Sequence, residues 1–89
     1  MEELLRQLGI EQEGHYSNKN TYTIDIEDSN EFGKIYSKLE RSNRLIDRDG
    51  TATLMTEDNA SVQYENEQFV LTLLADFNED IYSLVIKRR

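Results

Sequence analysis

Apolar and polar residues form their clearest pattern in the last quarter of the chain. Residues 68–76 and 81–87 are the two most apolar stretches, and the polar residues 77–80 separate them. Both stretches are rich in β-branched and aromatic residues, which is typical of strands, and the short polar connection predicts a hairpin. We expect this hairpin to form the centre of a sheet.

Further strands are predicted upstream of this hairpin. Residues 21–27 and 60–65 alternate between apolar and polar side chains, as half-buried strands do. Residues 44–47 and 51–56 flank Asp49-Gly50, and an Asp-Gly pair between apolar runs predicts a second hairpin. Because the connections between these stretches are short, neighbouring strands should run antiparallel.

Two stretches have helical periodicity instead. Leu4, Leu5 and Leu8 recur at helical spacing and predict a short helix that ends near Gly9. A second helix should begin after Asp28, a good N-cap residue. Its apolar positions have the spacing i, i+3, i+4 and i+7 of one buried stripe and are Phe32, Ile35, Tyr36 and Leu39.

The order of these elements predicts the fold class. One helix, one strand, a second helix and then four or five strands are typical of an α+β fold. We expect an antiparallel sheet of four to six strands in a meander, with the main helix and the short N-terminal helix packed on one face. Residues 11–20 are polar and should form a loop, and residues 1–89 should form one small domain.

The last hairpin is apolar on both faces, although a sheet with one solvated face should be polar there. Two explanations stay open. The simpler one is that the first helix covers this second face, and the other is that the face serves for self-association. The apolar residues in question are Val70, Leu74, Ile81 and Val85.

The composition is acidic and contains no cysteine. The 18 acidic and 10 basic residues give a net charge of −8. Such a surface should repel nucleic acid and anionic membranes and should attract basic protein surfaces. No apolar run approaches the ~20 residues that a membrane-spanning helix needs. We therefore expect a cytoplasmic protein without a membrane partner.

The charges are also unevenly distributed along the chain. Eight acids and no lysine or arginine lie between Asp49 and Ile86. Carboxylates along the rim of a sheet would imitate a nucleic-acid backbone and bind in a basic groove of another protein. A simpler explanation also stays open, since acids favour turns for local hydrogen bonding. The candidate partner-binding residues are Asp49, Glu57, Asp58, Glu65, Glu67, Asp76, Glu79 and Asp80.

Residues 47–58 resemble the calcium-binding loop of the EF-hand family. Ala52 occupies the position at which that loop needs glycine, and the residues that follow have a strand pattern instead of a helical one. We expect a β-hairpin here and no metal site. The residues at ligand positions of the resemblance are Asp47, Asp49, Thr51 and Asp58.

Other signals of catalysis are weak. His15 is the only histidine, and no cysteine or second histidine could join it at a metal site. Nucleophile and phosphate-binding motifs are missing from the sequence. We expect neither catalytic residues nor a cofactor, and a protein that is not an enzyme.

The sequence therefore favours a non-catalytic, acidic protein-binding module, and its most concrete form is an inhibitor that mimics nucleic acid and blocks a basic cleft. The alternative is a structural or accessory subunit that self-associates, for example as a homodimer. Direct nucleic-acid binding is not favoured, because the five bases between Lys34 and Arg48 are few among so many acids. Small, acidic, cysteine-free chains are common among accessory proteins of phages and mobile elements, which is an analogy only.

Overall fold

The computed structural model describes residues 2–43, 45–47 and 54–89. Two helices and seven strands lie within these ranges. The helices are α1, Glu2–Leu8, and α2, Ser29–Arg41. The strands are β1, His15–Asn18; β2, Thr21–Ile26; β3, Ile46–Asp47; β4, Leu54–Met55; β5, Asn59–Glu65; β6, Phe69–Asp76; and β7, Ile81–Arg88.

All of these strands belong to one antiparallel sheet. The strand order is β1-β2-β7-β6-β5-β3, and β4 also pairs with β5. Five strands have four or more residues, and the two-residue strands β3 and β4 extend one edge. The predicted α+β fold, with four to six antiparallel strands, is confirmed. The predicted hairpin of β6 and β7 lies at the centre of the sheet, between β2 and β5.

The core lies on one face of the sheet, which we call the inner face. Alternate residues of the central strands are buried there, and Leu71, Leu73, Leu84 and Ile86 have no exposed surface. Ile35 and Leu39 of α2 and all three leucines of α1 pack into the same cluster. The predicted apolar stripe of α2 is confirmed, since its remaining members are partly buried against this core.

Both helices pack on the inner face. Lys38 Nζ donates a hydrogen bond to the carbonyl oxygen of Gly9 at 2.6 Å, and Gln12 Nε2 donates to Glu31 Oε2 at 2.5 Å. These bonds hold α1 and the segment that follows it beside α2. The prediction that both helices pack on one face is confirmed, and the explanation in which α1 covers the opposite face of the central hairpin is wrong. We call that opposite face the outer face.

Strand β1 was predicted as a loop. Its four residues are all exposed, so no alternation of buried and exposed positions marks it as a strand. It pairs with β2 through a tight turn, in which Asn18 Oδ1 accepts a hydrogen bond from the Asn20 N–H at 2.8 Å. Pairing with its neighbour, and not burial, defines this strand.

The second predicted hairpin is also wrong in its pairing. β3 pairs with Tyr64 and Glu65, whereas β4 pairs with Ala60 and Ser61. Because both are antiparallel to β5 along one edge, they run in the same direction and cannot form a hairpin with each other. The predicted turn at Asp49-Gly50 and most of the calcium-loop resemblance lie outside the described residues. Residues after Asp58 form a strand, as the sequence indicated.

The main helix begins as predicted. Asp28 Oδ1 accepts a hydrogen bond from the Glu31 N–H at 2.9 Å, and the helix ends at Arg41. Tyr64 is 1% exposed, and its hydroxyl donates to Glu40 Oε1 at 2.7 Å, which ties the end of the helix to β5. These contacts fix the direction in which α2 returns across the sheet.

Gly33→Ala should stabilise the protein. Gly33 lies inside α2, and no described atom from outside the helix lies within 4 Å of the position that a Cβ would occupy. Alanine removes the backbone-entropy cost of glycine in a helix, so we expect the free energy of unfolding to rise by about 1 kcal/mol. Urea unfolding measured by circular dichroism checks this value.

Gly14→Ala is the matched control and should destabilise. A Cβ at Gly14 would collide with the carbonyl oxygen of Thr23 and would lie 2.9 Å from side-chain carbons of Ile24 and Tyr22. Equal effects of the two substitutions would contradict this packing. So would a loss of stability in Gly33→Ala.

Candidate functional site: the acidic end of the sheet

Three connections between elements meet at one end of the sheet. The strand register pairs Ile26 with Tyr82, and it pairs Asp76 with both Ile81 and Asn59. The end of β2, the start of β7, the end of β6 and the start of β5 therefore lie side by side. The connections that meet there are residues 27–28, 56–58 and 77–80.

These connections and the end of β6 carry five of the eight predicted partner-binding acids. All are exposed except Asp76, which is half-buried. Five were predicted from the sequence, whereas Asp25, Glu27 and Asp28 join them through the pairing of β2 with β7. We call this group the acidic end; it consists of Asp25, Glu27, Asp28, Glu57, Asp58, Asp76, Glu79 and Asp80.

The remaining predicted acids do not belong to this group. Glu65 and Glu67 lie at the opposite end of the sheet, beside or within the connection between β5 and β6. Glu65 Oε2 also pairs with Arg89 Nη2 at 3.1 Å. Asp49 lies outside the described residues. The predicted acids are therefore divided between the two ends of the sheet. Five of them lie at the acidic end, and Glu65 and Glu67 lie at the other end.

The charge density of the acidic end is close to that of DNA. Neighbouring strands are about 4.8 Å apart, so the four strand ends from β2 to β5 span about 14 Å. Eight carboxylates over this width give one negative charge per about 2 Å, compared with one per about 1.7 Å along a DNA duplex. A partner that binds a nucleic-acid backbone would meet a similar field here.

Basic residues lie mainly at the opposite end. The ion pairs recorded for the described part of the chain use other carboxylates, those of Glu3, Glu31 and Glu65. The described bases thus concentrate at the end away from the acidic end, where Glu40, Glu65 and Glu67 offset part of their charge. The bases at the end remote from the acidic end, in the turn after β1, the last turns of α2 and the end of β7, are Lys19, Lys38, Arg41, Lys87, Arg88 and Arg89.

Local hydrogen bonding explains only some of these acids. Asp28 caps α2, and Asp76 Oδ1 accepts a hydrogen bond from the Glu79 N–H at 3.1 Å. Within the described residues no side-chain hydrogen bond is recorded for Glu27, Glu57 or Glu79. Aspartate and asparagine are the acids and amides that favour turns, whereas glutamate is not among them. The turn explanation therefore does not account for the glutamates.

An aromatic cluster lies within the acidic end. The ring centroids of Phe32, Phe77 and Tyr82 are 5.3–6.2 Å apart. Phe77 is 40% exposed, and its backbone N–H donates to the Asp58 carbonyl at 2.8 Å, which links two of the acidic connections. The sequence analysis missed this cluster. The one available signal was a phenylalanine in an otherwise polar turn.

Tyr82 connects the aromatic cluster to the acids. A hydrogen bond to the Asp80 carboxylate raises the pKa of Tyr82, and burial and the negative charges of Asp80 and Asp28 raise it further, against a smaller lowering by Ser29. Asp80 has a φ of 54°, which is uncommon for a residue other than glycine. The turn before β7 thus carries the Asp80 carboxylate to the Tyr82 hydroxyl.

The predicted self-association residues lie on the outer face. Leu74 is 38% exposed and Ile81 is 60% exposed, while Val70 and Val85 are half-buried. Thr72 pairs with Val85 across β6 and β7, so the four apolar residues form one zigzag along the central hairpin. None of the described residues covers them.

His15 is exposed on the edge strand β1. Among residues 2–43, 45–47 and 54–89, no three His, Cys, Asp or Glu side chains are arranged to hold a metal ion. Neither described helix is long and apolar enough to cross a membrane.

The chain matches no protein-family model, no curated protein and no solved structure.

Asp80→Asn should lower the pKa of Tyr82 toward its ordinary value of about 10, because the carboxylate that raises it is removed. Asparagine tolerates a positive φ, so the turn should persist. Phenolate absorbance during an alkaline titration measures the change, with Tyr82→Phe used to subtract the other tyrosines.

The free energy of unfolding should also depend on pH through the ionisation of Tyr82. The folded pKa of Tyr82 lies above the unfolded one, so its contribution is complete below pH ~10 and is lost as the pH rises through the folded pKa. Asp80→Asn should reduce this alkaline loss, and Glu79→Gln should not. An unchanged Tyr82 titration in Asp80→Asn would contradict the hydrogen bond.

Proposed function

We propose that the protein is a non-catalytic binding module whose acidic end binds a basic surface of another protein. In its most concrete form it is an inhibitor that mimics nucleic acid and blocks a basic cleft. The observation that carries this proposal is the density of carboxylates at the acidic end, about one charge per 2 Å. The same density of phosphates is what a nucleic-acid-binding cleft is built to contact.

The electrostatics of such binding follow those of DNA. Lysine and arginine side chains that neutralise phosphates release counterions, and this release makes the affinity steeply dependent on salt. Carboxylates held at similar spacing would pair with the same side chains. The bases at the opposite end would point away from the partner, so attraction would also orient the protein during approach.

A rigid scaffold supports the proposal. The acids lie on strand ends and on turns that are held by hydrogen bonds, such as the bond from the Phe77 N–H to the Asp58 carbonyl. A backbone that is held in place before binding loses little conformational entropy when the acids that it carries bind. The N-terminus of α2 also lies at this end, and its dipole stabilises the crowded carboxylates of Asp28 and its neighbours.

Phe77 supplies the apolar contact that charge alone lacks. Phe77 is 40% exposed, and it lies in the same turn as Glu79 and Asp80. Arginine guanidinium groups stack on aromatic rings while they pair with carboxylates, and buried aromatic anchors dominate many interfaces. A basic cleft with arginine at its centre would therefore complement this surface.

The test is capture of partners from a bacterial lysate on the immobilised protein, followed by elution with a salt gradient and mass spectrometry. We expect a nucleic-acid-handling protein that elutes sharply with salt, because exposed ion pairs are screened. Added double-stranded DNA should displace the same protein. Absence of a salt-sensitive partner, or a partner that DNA does not displace, would contradict the mimicry.

Matched charge reversals locate the binding surface. Glu57→Lys combined with Asp58→Lys should abolish capture, because it replaces two of the eight carboxylates of the acidic end with bases, beside the start of β5. Glu2→Lys combined with Glu67→Lys changes the net charge equally, uses exposed residues away from the acidic end and should retain capture. Equal loss in both double variants would show a dependence on net charge only and would contradict a defined site.

A further inference from the structure

The outer face of the sheet has a regular composition along its strands. In the middle, one row of residues pairs in register across four strands, and all of its members are half-buried and uncharged. Apolar Leu74 lies on one side of this row and Val70 lies on the other. The residues of the row are Thr23, Val85, Thr72 and Gln63.

The two ends of the outer face carry opposite charges. Asp25 and Asp76 lie on the side of the acidic end, on β2 and β6. Lys87 lies on the other side, on β7, and Arg89 follows it and shares its charge with Glu65 at 3.1 Å. The face therefore has an apolar and hydroxyl-rich centre, a negative border and a positive border.

This arrangement is complementary to itself under one two-fold rotation. An axis in the plane of the interface, perpendicular to the strands and through the central row, would set the strands of two copies antiparallel. Val85 would then face Val85 of the second copy, and Leu74 would face Val70. The same rotation would place Asp25 next to Lys87 of the second copy. An axis along the strands would instead bring the two negative borders together.

The area of the face is sufficient for a weak dimer. Strands of eight residues are about 27 Å long, and five strands span about 20 Å, so the two faces together would bury about 1,000–1,200 Å². Specific interfaces start at about 1,200 Å². Face-to-face packing of sheets is also a common arrangement, with aligned strands and a separation of about 10 Å. A concentration-dependent homodimer is the expected result.

We propose that a second copy of this chain packs on the outer face, with antiparallel strands and with the negative border of each copy on the positive border of the other. This goes beyond the proposed function, because it uses the outer face, which shares only Asp25 and Asp76 with the acidic end, and a different partner. It also gives the apolar residues Val70, Leu74 and Val85 a burial that the described part of one copy does not provide.

Sedimentation equilibrium over a concentration series tests the dimer. As the protein concentration is raised, we expect the average mass to increase from that of one copy toward that of two copies, with a dissociation constant below about 1 mM. Leu74→Glu should keep the protein monomeric and folded, because Leu74 is 38% exposed in one copy. Val85→Glu should do the same by placing two carboxylates on the two-fold axis. Circular dichroism and thermal unfolding establish that both variants fold.

Charge reversal tests the orientation. Asp25→Lys and Lys87→Glu should each weaken the dimer by bringing like charges together, and the double variant should restore it. Glu2→Lys on α1, which packs on the inner face, is the control and should leave the dissociation constant unchanged.

Two results would overturn the proposal. One is a single-copy mass at every concentration, and the other is a dimer that folded Leu74→Glu leaves intact. Failure of the double charge variant to restore the dimer would overturn the antiparallel orientation. Lysate capture through the acidic end has a separate outcome, so each proposal can fail alone.

Discussion

The pairing of β2 with β7 is the constraint on which most of the molecule depends. It joins residues 21–26 to residues 82–87, and so it closes the N-terminal segment onto the central hairpin. The end of β2 is thereby fixed beside the start of β7, and α2 must begin there and return across the inner face. Without this pairing, Glu27 and Asp28 would not lie with Asp80, and the acidic end would lose its full width.

Most of the fold was predictable because burial follows the pleat. Residues of β2, β5, β6 and β7 alternate between buried and exposed positions, and the leucines of α1 recur at helical spacing. β1 was missed because all of its residues are exposed, so no pattern marks it. The pairing of β3 and of β4 with β5 was missed, because Asp49-Gly50 is a local signal for a turn between two strands. In the structure both short strands pair with the longer strand β5 instead.

The candidate site was predictable in part, for a geometrical reason. Successive turns of a meander alternate between the two ends of a sheet, so Glu57 and Glu79 share an end, while Glu67 in the intervening turn lies at the other. The sequence pattern shows only that these acids lie in turns, so it does not tell which turns lie at the same end of the sheet. Asp25, Glu27 and Asp28 could not be assigned at all from the pattern, since their position depends on a long-range strand pairing.

The segregation of charge along the strands connects the two proposed surfaces. Each copy has a net charge of −8, so two copies repel one another overall and associate only where opposite charges meet locally. The antiparallel arrangement provides such contacts through Asp25 and Lys87. It would also point the turns that carry Glu57 and Glu79 in opposite directions, because these turns extend beyond the strands. Two acidic ends on one assembly could then engage two basic clefts, and binding a partner with paired clefts would gain from their effective concentration.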